Sequence, residues 1–480
     1  MEKQTSIKKN YIYNLLYQIL ALIVPLITAP YTSRVFGPEG VGIQSYTNSI
    51  LAYFTLFAAL GTASYGQREI ARNRKDKQKI SQLFWEIELL SMITTGVAIV
   101  FWVIMIMRSF RYTPYYLVLT ISIVAVAFDI SWFFSGFEMF QYIVLRNSIV
   151  KIAGIILLFS VVKGKNDLLL YMALIAATGL AGNISMWTYL PKLLQKTSLK
   201  SLNIFSHLEY TVTYFIPTIA SSIYTVMDKT MIGIITSETE NGYYEQATKI
   251  IRMEQTLLLS LNTVMTSRMS HLFAQGKTEE IKQKILKSFD FLLYMAIPLM
   301  FGTIVIAKRF VHWFFGSEYS RTAIIMHFLC PLPLIICISN VLGSHYLTPS
   351  GQRVRSSKGI VAGACVNFAL NLVLIPELAA VGAAIASLVA ETVISFVYVR
   401  MSKGYITWKN LWDKSWKRLA AGGIMMIIVH VIGNLIEKDI VATLVQIICA
   451  VLIYGLALLI LRDDFEKNYL SLIRAKIRKY

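Results

Sequence analysis

Four basic residues interrupt long apolar stretches of the chain and are candidates for holding an anionic ligand: Arg34, Lys229, Lys249 and Arg252. Lys249 and Arg252 lie three positions apart, so they project from the same face if this stretch is helical. Two neighbouring cations repel each other unless an anion lies between them, and the planar guanidinium of an arginine suits a phosphate group. One interpretation is a site for a phosphate-bearing ligand. The alternative is structural, with Glu245 and Asp228 neutralising the two cations.

Three carboxylates in similar apolar stretches are candidates for ion coupling or for structural roles: Asp129, Asp228 and Glu391. A buried salt bridge with Lys151 is the simplest account of Asp129, and ion coupling is the alternative. Glu391 has no basic neighbour in its stretch, so it either binds a proton during coupling or stays a neutral acid with a hydrogen-bonded neighbour. Asp228 and Lys229 point about 100° apart on a helix, so one of them is expected to bridge to the next helix.

The composition explains why these charged residues stand out. Hydrophobic residues make up 56% of the 480 residues and charged residues only 15%, whereas about a quarter of an ordinary globular protein is charged. Such a chain cannot cover a surface that faces water, which excludes a soluble enzyme, a disordered chain and a DNA-binding regulator. We therefore expect a membrane protein that is surrounded by membrane lipids.

A membrane-spanning helix needs about 20 mostly apolar residues, and fourteen such runs can be counted. The net charge of +19 reflects basic residues that concentrate in the segments on the same side as the N-terminus. This is the usual bias of cytoplasmic loops, so both termini are predicted to be cytoplasmic and no nucleic-acid partner is expected. The predicted fold class is an all-α membrane protein with fourteen transmembrane helices. Four of them matter below, at residues 11–33, 41–65, 211–235 and 244–267.

Arg34 and two further charged residues, Glu86 and Glu88, are expected near the ends of spanning helices. Arg34 closes the first helix, where it either points into a cleft and meets a ligand or extends to lipid headgroups. Glu86 and Glu88 begin the third helix, and we expect them to reach water or the basic loop that precedes it.

An internal repeat is indicated at an offset of 200 residues, because Gly42 matches Gly242 and Arg68 matches Arg268. Two parallel six-helix halves with a site between them are a known transporter arrangement. We therefore expect an N-terminal lobe of six helices at 1–205 and a C-terminal lobe of six helices at 206–405. The last two helices and a basic cytoplasmic tail would occupy 406–480.

Four segments carry a resemblance to a known family: 33–42 (SRVFGPEGVG), 65–72 (YGQREIAR), 227–233 (MDKTMIG) and 242–244 (GYY). In their order and spacing the chain resembles polysaccharide repeat-unit flippases of the Wzx type. These belong to the superfamily of the MATE multidrug exporters and the lipid II flippase. The resemblance extends over the whole chain and includes the helix count and orientation.

The resemblance implies a V-shaped pair of six-helix bundles with two additional helices, in the bacterial cytoplasmic (inner) membrane. The implied substrate is an undecaprenyl-pyrophosphate-linked oligosaccharide of O-antigen or capsule type, moved from the inner to the outer leaflet by alternating access. A polysaccharide polymerase and a chain-length regulator are implied as further partners. Arg34, Lys229, Lys249 and Arg252 would attract the anionic head group. The lipid II branch carries an arginine on its second helix, whereas 41–65 contains no Lys or Arg, so lipid II fits less well.

Two rival functions predict different residues. A multidrug or cation antiporter of the same architecture should line its cavity with carboxylates rather than with Lys249 and Arg252. A membrane polysaccharide polymerase should have catalytic residues on a sizeable outer loop, and no long outer loop is predicted. The sequence has no complete phosphate-binding loop, no HExxH motif and no CxxC pair among its four cysteines, so no enzyme activity, cofactor or metal is expected.

Overall fold

A computed structural model describes residues 7–198, 202–259, 262–402 and 404–467, and within these ranges every regular element is a helix. The chain divides into two compact units, Met1–Thr230 and Met231–Tyr480. The two termini, for which a cytoplasmic location is predicted, lie outside the described residues, so the orientation stays a prediction.

The described helices of the first unit are α1 (Ile7–Ala59), α2 (Thr62–Asn73), α3 (Lys77–Arg108), α4 (Thr113–Val126), α5 (Ser131–Gly136), α6 (Phe140–Val161), α7 (Leu168–Met186) and most of α8 (Leu208–Ile235). Short 3₁₀ helices precede α7, follow it and precede α8, and the last of these is Ile204–His207.

The described helices of the second unit are α9 (Glu238–Leu259), α10 (Asn262–Ala274), α11 (Thr278–Phe314), α12 (Ser320–Leu329), α13 (Leu332–Val341), α14 (Arg353–Leu378), α15 (Ala380–Met401), α16 (Trp408–Asn434) and α17 (Asp439–Ile460). A π-helix, Leu342–Leu347, continues α13.

Ten helical segments in the described part of the chain are long and apolar enough to cross a membrane. An eleventh is gained if the bent pair Ser317–Leu329 and Leu332–Leu347, which turns by 41°, forms one span. The predicted seventh and eighth helices correspond to α8 and α9, which are not among these segments. The all-helical, multi-pass character is therefore confirmed, whereas the number of fourteen stays a prediction.

One of the ten segments, Leu22–Asn73, contains the predicted second helix and most of the first. Its 52 residues would extend about 78 Å as a straight helix, far more than the ~30 Å of a hydrocarbon core. Gly37 breaks the helix with a φ of 66°, and Pro38 follows it. This left-handed backbone conformation favours glycine, so the break falls between the predicted spans at 11–33 and 41–65.

Two helix boundaries recur close to the offset of the predicted internal repeat. α2 ends at Asn73 and α3 begins at Lys77, while α10 ends at Ala274 and α11 begins at Thr278, so both boundaries recur 201 residues later. The internal repeat itself stays a prediction.

The two compact units divide at Thr230, within α8, whereas the predicted lobe boundary is at residue 205. The predicted division into 1–205, 206–405 and 406–480, and the V-shaped arrangement of the lobes, stay predictions.

The part of α8 in the first unit packs along one ridge of α1 and α2, formed by Ser49, Tyr53, Phe57, Gly61 and Tyr65 at intervals of four residues. We call this packing the α1–α8 seam. At one end the Thr230 hydroxyl donates to Ser49 Oγ at 2.9 Å and lies 3.1 Å from the Tyr53 hydroxyl.

The middle of the α1–α8 seam is apolar and closely packed. The rings of Phe57 and Phe215 lie 5.4 Å apart. A Cβ on Gly61 would lie 2.5 Å from the carbonyl oxygen of Thr211, so only glycine allows this approach. Ser49 contacts Thr230, whereas Phe57, further along α1, contacts Phe215. Residue numbers thus fall along α8 as they rise along α1, so these two helices are antiparallel.

A buried chain of hydrogen bonds closes the other end of the α1–α8 seam. The Tyr65 hydroxyl lies 2.8 Å from His207 Nδ1, and His207 Nε2 lies 2.8 Å from Glu86 Oε2. The backbone N–H of Asn203 and the side-chain amide of Gln82 each donate to Glu86 Oε1 at 2.8 Å. These hydrogen bonds hold the segment before α8 against α3. They explain why most of α8 belongs to the first unit.

The prediction that Glu86 and Glu88 reach water or the basic loop is therefore wrong. Their exposed fractions are 2% and 0%, and neither reaches water or the basic loop. The reason for Glu86 is that the 3₁₀ helix Ile204–His207 folds back over α3 and covers it. Glu88 lies against Trp132, whose indole N–H donates to Glu88 Oε2 at 3.4 Å.

In the second unit, Arg418 fastens the α16–α17 hairpin to α11. Its side chain is 2% exposed, and its guanidinium donates to Asp290 Oδ1 at 2.7 Å and to Asp463 Oδ2 at 3.2 Å. Beside it, Tyr294 donates to Glu466 Oε2 at 2.7 Å. The segment after α17 and the start of the membrane part of α11 are thus joined by one buried cation.

We predict that His207→Leu lowers the free energy of unfolding by about 1–3 kcal/mol, because both Glu86 and Tyr65 lose a buried partner. Thermal unfolding of the purified protein in detergent measures the effect. His271→Leu is the matched control, since His271 is exposed. Equal unfolding temperatures for the two variants would show that the buried chain does not hold α8.

Removal of the buried arginine should cost more. Arg418→Gln leaves Asp290 and Asp463 without their shared cation, and loss of one partner of a buried ion pair typically costs about 3 kcal/mol or more. The same unfolding assay applies, with Lys409→Gln at an exposed position of α16 as the control. A variant as stable as the control would contradict an anchoring role for Arg418.

Candidate functional site

The predicted cation pair lies on α9 in the second unit. Lys249 Nζ is 3.9 Å from Glu245 Oε1, one helical turn away, and both side chains are half-buried. Arg252 lies one turn further along and is exposed. The structural alternative is thus confirmed in part, because Glu245 pairs with Lys249. The stretch from Glu245 to Arg252 still contains two cations and one carboxylate.

The other two predicted cations belong to the first unit. Arg34 is exposed on α1, three residues before the break at Gly37. Lys229 is half-buried on α8, directly before Thr230 at the end of the α1–α8 seam. Asp228, its neighbour, is buried with 6% exposure. A role for these residues in binding stays a prediction.

Two of the predicted carboxylates accept hydrogen bonds. Asp129 lies in the turn between α4 and α5, and its Oδ1 accepts a hydrogen bond from the backbone N–H of Ser131 at 3.0 Å. Glu391 on α15 is buried, and the Ser339 hydroxyl on α13 donates to its Oε2 at 3.4 Å. The sequence did not indicate either partner. Whether these carboxylates take part in ion coupling stays a prediction.

Glu254 is a buried carboxylate that the sequence reasoning missed. The Thr303 hydroxyl on α11 donates to its Oε1 at 2.6 Å, and its buried Oε2 has no hydrogen-bonding partner among the described residues. The sequence did contain the information needed, because Glu254 is a charged residue within the predicted helix at 244–267. The rule applied to Glu391, that a charge in a spanning helix needs a reason, would have found it.

The tyrosine–histidine–glutamate chain was also missed, for a different reason. Tyr65, Glu86 and His207 come from three separate segments, and 121 residues separate Glu86 from His207. No local pattern predicts such a contact. The described residues contain no group of three or more His, Cys, Asp or Glu side chains with the geometry to hold a metal ion.

The described charged residues are of two kinds, exposed cations and enclosed acids. The exposed cations Arg34 and Arg252 can form hydrogen bonds with an anion through the planar guanidinium fork. The carboxyl groups of Glu88, Glu254 and Glu391 are instead enclosed within the helical units. The positive charges of these arginines are thus exposed, whereas the carboxyl groups are enclosed.

Solved structures show the fold. The chain is similar to the lipid II flippase MurJ in an inward closed conformation, with a TM-score of 0.72 and 15% identity, over 95% of this chain and 99% of that one. It is also similar to an inward-facing multidrug resistance transporter of the MATE family, with a TM-score of 0.66 and 13% identity, over 83% and 96% of the two chains. The predicted MATE-like fold is therefore confirmed.

A relative with a similar sequence is found in Escherichia coli (strain K12). It bears the name of an O-antigen transporter, and it is 24% identical over 410 residues, which cover 83% of this chain and 98% of the relative.

A family model described as "Polysaccharide biosynthesis protein" matches residues 7–273, more than half of the chain. This match includes α1 to α9 and all four predicted cations. It agrees with the relative and with the resemblance in the four sequence segments. The chain therefore belongs to the polysaccharide biosynthesis protein family.

Proposed function

We propose that the chain is a flippase that moves lipid-linked oligosaccharide repeat units from the inner to the outer leaflet by alternating access. The proposed carrier is undecaprenyl pyrophosphate, and the proposed glycan is an O-antigen or capsule unit. The chain is a transport protein and not an enzyme, in keeping with the relative named for O-antigen transport and with the solved flippase and exporter structures.

The observation that carries the proposal is the cationic stretch of α9 at Lys249 and Arg252. Glu245 balances Lys249, while Arg252 on the next turn is exposed. Because Arg252 is exposed, its guanidinium is accessible to an anionic ligand. A pyrophosphate carries charge that matches its guanidinium fork.

The role of each cation follows from its surroundings. Arg252 is proposed to bind the pyrophosphate, and Lys249, paired with Glu245, contributes a weaker attraction at the same face. Arg34 and Lys229, in the first unit, are proposed to meet the head group as well, and the prenyl tail remains in lipid. The proposed location is the bacterial inner membrane, where a polysaccharide polymerase and a chain-length regulator would take over the product.

The multidrug or cation antiporter remains the alternative, and the three buried acids Glu88, Glu254 and Glu391 are the observation that favours it. An antiporter must bring its carboxylates to a cationic substrate. The enclosed positions of these acids in the described structure fit proton exchange better than substrate contact. The flippase is therefore the better supported of the two functions.

We predict that deletion of the gene leaves single lipid-linked repeat units on the cytoplasmic leaflet, and that the wild-type gene restores surface glycan. Arg252→Glu should reduce complementation by about tenfold or more, because a charge-assisted hydrogen bond contributes roughly 1.5 kcal/mol or more. Arg252→Lys, which keeps the charge, should retain more activity. Surface glycan and membrane protein level are measured together.

The matched control is Arg355→Glu, a charge reversal at an exposed arginine at the start of α14. It should complement like the wild type. Full activity of Arg252→Glu at normal protein level would remove Arg252 from the binding site. Accumulation of single repeat units on the outer leaflet after deletion would indicate a polymerase and contradict the flippase.

A further inference from the structure

Among the described acids of the first unit, Glu88 on α3 is the least exposed. Its side chain is 0% exposed, and the Trp132 indole N–H donates to Oε2 at 3.4 Å. The other oxygen, Oε1, is buried and has no hydrogen-bonding partner among the residues that the structure describes. One carboxyl oxygen is therefore left in an apolar, aromatic environment with nothing to satisfy it.

The groups around Glu88 do not neutralise it. On its own helix, both oxygens of Glu86 are already bound, by His207 on one side and by Asn203 and Gln82 on the other. Asp129, in the turn between α4 and α5, is the charged group that acts on Glu88, and it carries the same sign of charge.

The cationic and titratable groups of the neighbouring elements are engaged elsewhere. The guanidinium of Arg68 on α2 donates to the Tyr214 hydroxyl. Tyr65 and His207 bind each other, and His207 also binds Glu86. Within the described part of the chain, no ion pair joins a basic side chain to Glu88.

An ionised carboxylate in such surroundings is costly, because a buried charge without a partner loses its hydration and gains nothing in return. A bound cation removes this cost. A metal ion prefers several oxygen ligands, whereas the neighbouring Trp132 presents an N–H donor that would repel it. A proton needs only the one oxygen that is left over.

We propose that Glu88 is a proton-binding site, at which a proton adds to Oε1 in this conformation and leaves when the carboxyl meets water. The bond between the carboxyl carbon and Oε1 stays intact. Only the O–H bond forms and breaks, and water accepts the released proton. Trp132 is the second residue of α5 and directly follows the turn that holds Asp129. A shift of this turn therefore changes the repulsive charge and the hydrogen-bond donor next to Glu88 together. Proton release can thus follow a movement of the helices.

Infrared difference spectroscopy of the full-length protein in detergent tests the site without any transport substrate. Between acidic and alkaline pH, the wild type should lose a carboxylic C=O stretching band, and Glu88→Gln should lack this component. Trp132→Phe removes the donor to Oε2 and should shift the frequency of the band. The matched control is Glu254→Gln, a buried acid of the second unit, which should leave the Glu88 component in place.

Three results would overturn the proposal. The carboxylic band is absent at every pH, it is unchanged in Glu88→Gln, or sodium chloride at constant pH removes it where choline chloride does not. The last result would assign a sodium ion to the site.

The step from proton binding to coupling rests on the proposed function. In sealed vesicles in which the wild type moves repeat-unit lipid, Glu88→Gln should still move it but lose the acceleration by a pH gradient. A variant that responds to the gradient like the wild type would overturn coupling through Glu88. If the wild type itself moved no lipid, the proposed function would fail, while the infrared result would still decide the proton site.

Discussion

The structure depends on one constraint: a charged side chain inside an apolar membrane must find an opposite charge, a hydrogen-bonding partner or water. Arg418 meets it with two aspartates and thereby joins the α16–α17 hairpin to α11. Glu86 meets it with His207 and thereby holds the segment before α8 against α3. In both cases a single charge fixes how helices that are far apart in the sequence pack together.

The packing of α8 has a consequence for the chain as a whole. Its residues up to Thr230 belong to the first compact unit, and Met231 begins the second. The peptide connection between the units therefore runs through a helix rather than through a loop. Asp228 and Lys229, the adjacent charges noted from the sequence, lie directly at this division, one helical turn or less from the hydrogen bonds of Thr230. The two adjacent charged residues and the division between the units thus lie in the same turn of α8.

Local rules were sufficient where the interaction itself is local. The apolar runs predicted the multi-pass helical fold, and the four-residue spacing of Glu245 and Lys249 predicted their ion pair. The contacts of Glu86, Glu88 and Arg418 join distant segments, so no pattern within one segment could predict them. Arg418, for example, pairs with Asp290 and Asp463, which lie 128 and 45 residues away in the sequence. Glu254 differs, because the rule that would have identified it was already in use for Glu391.

The two proposals assign different tasks to the two kinds of charge, with exposed arginines for the anionic head group and enclosed acids for protons. The central claim is that the chain moves a pyrophosphate-linked glycan across the bilayer. The most direct test is reconstitution into liposomes with an undecaprenyl-pyrophosphate oligosaccharide that carries a fluorescent sugar, followed by addition of a membrane-impermeant quencher. We predict that the protein brings the labelled lipid of the inner leaflet to the outer leaflet, so that the quencher removes this half of the fluorescence as well. A protected fraction equal to that of protein-free liposomes, with correctly folded protein present, would contradict it.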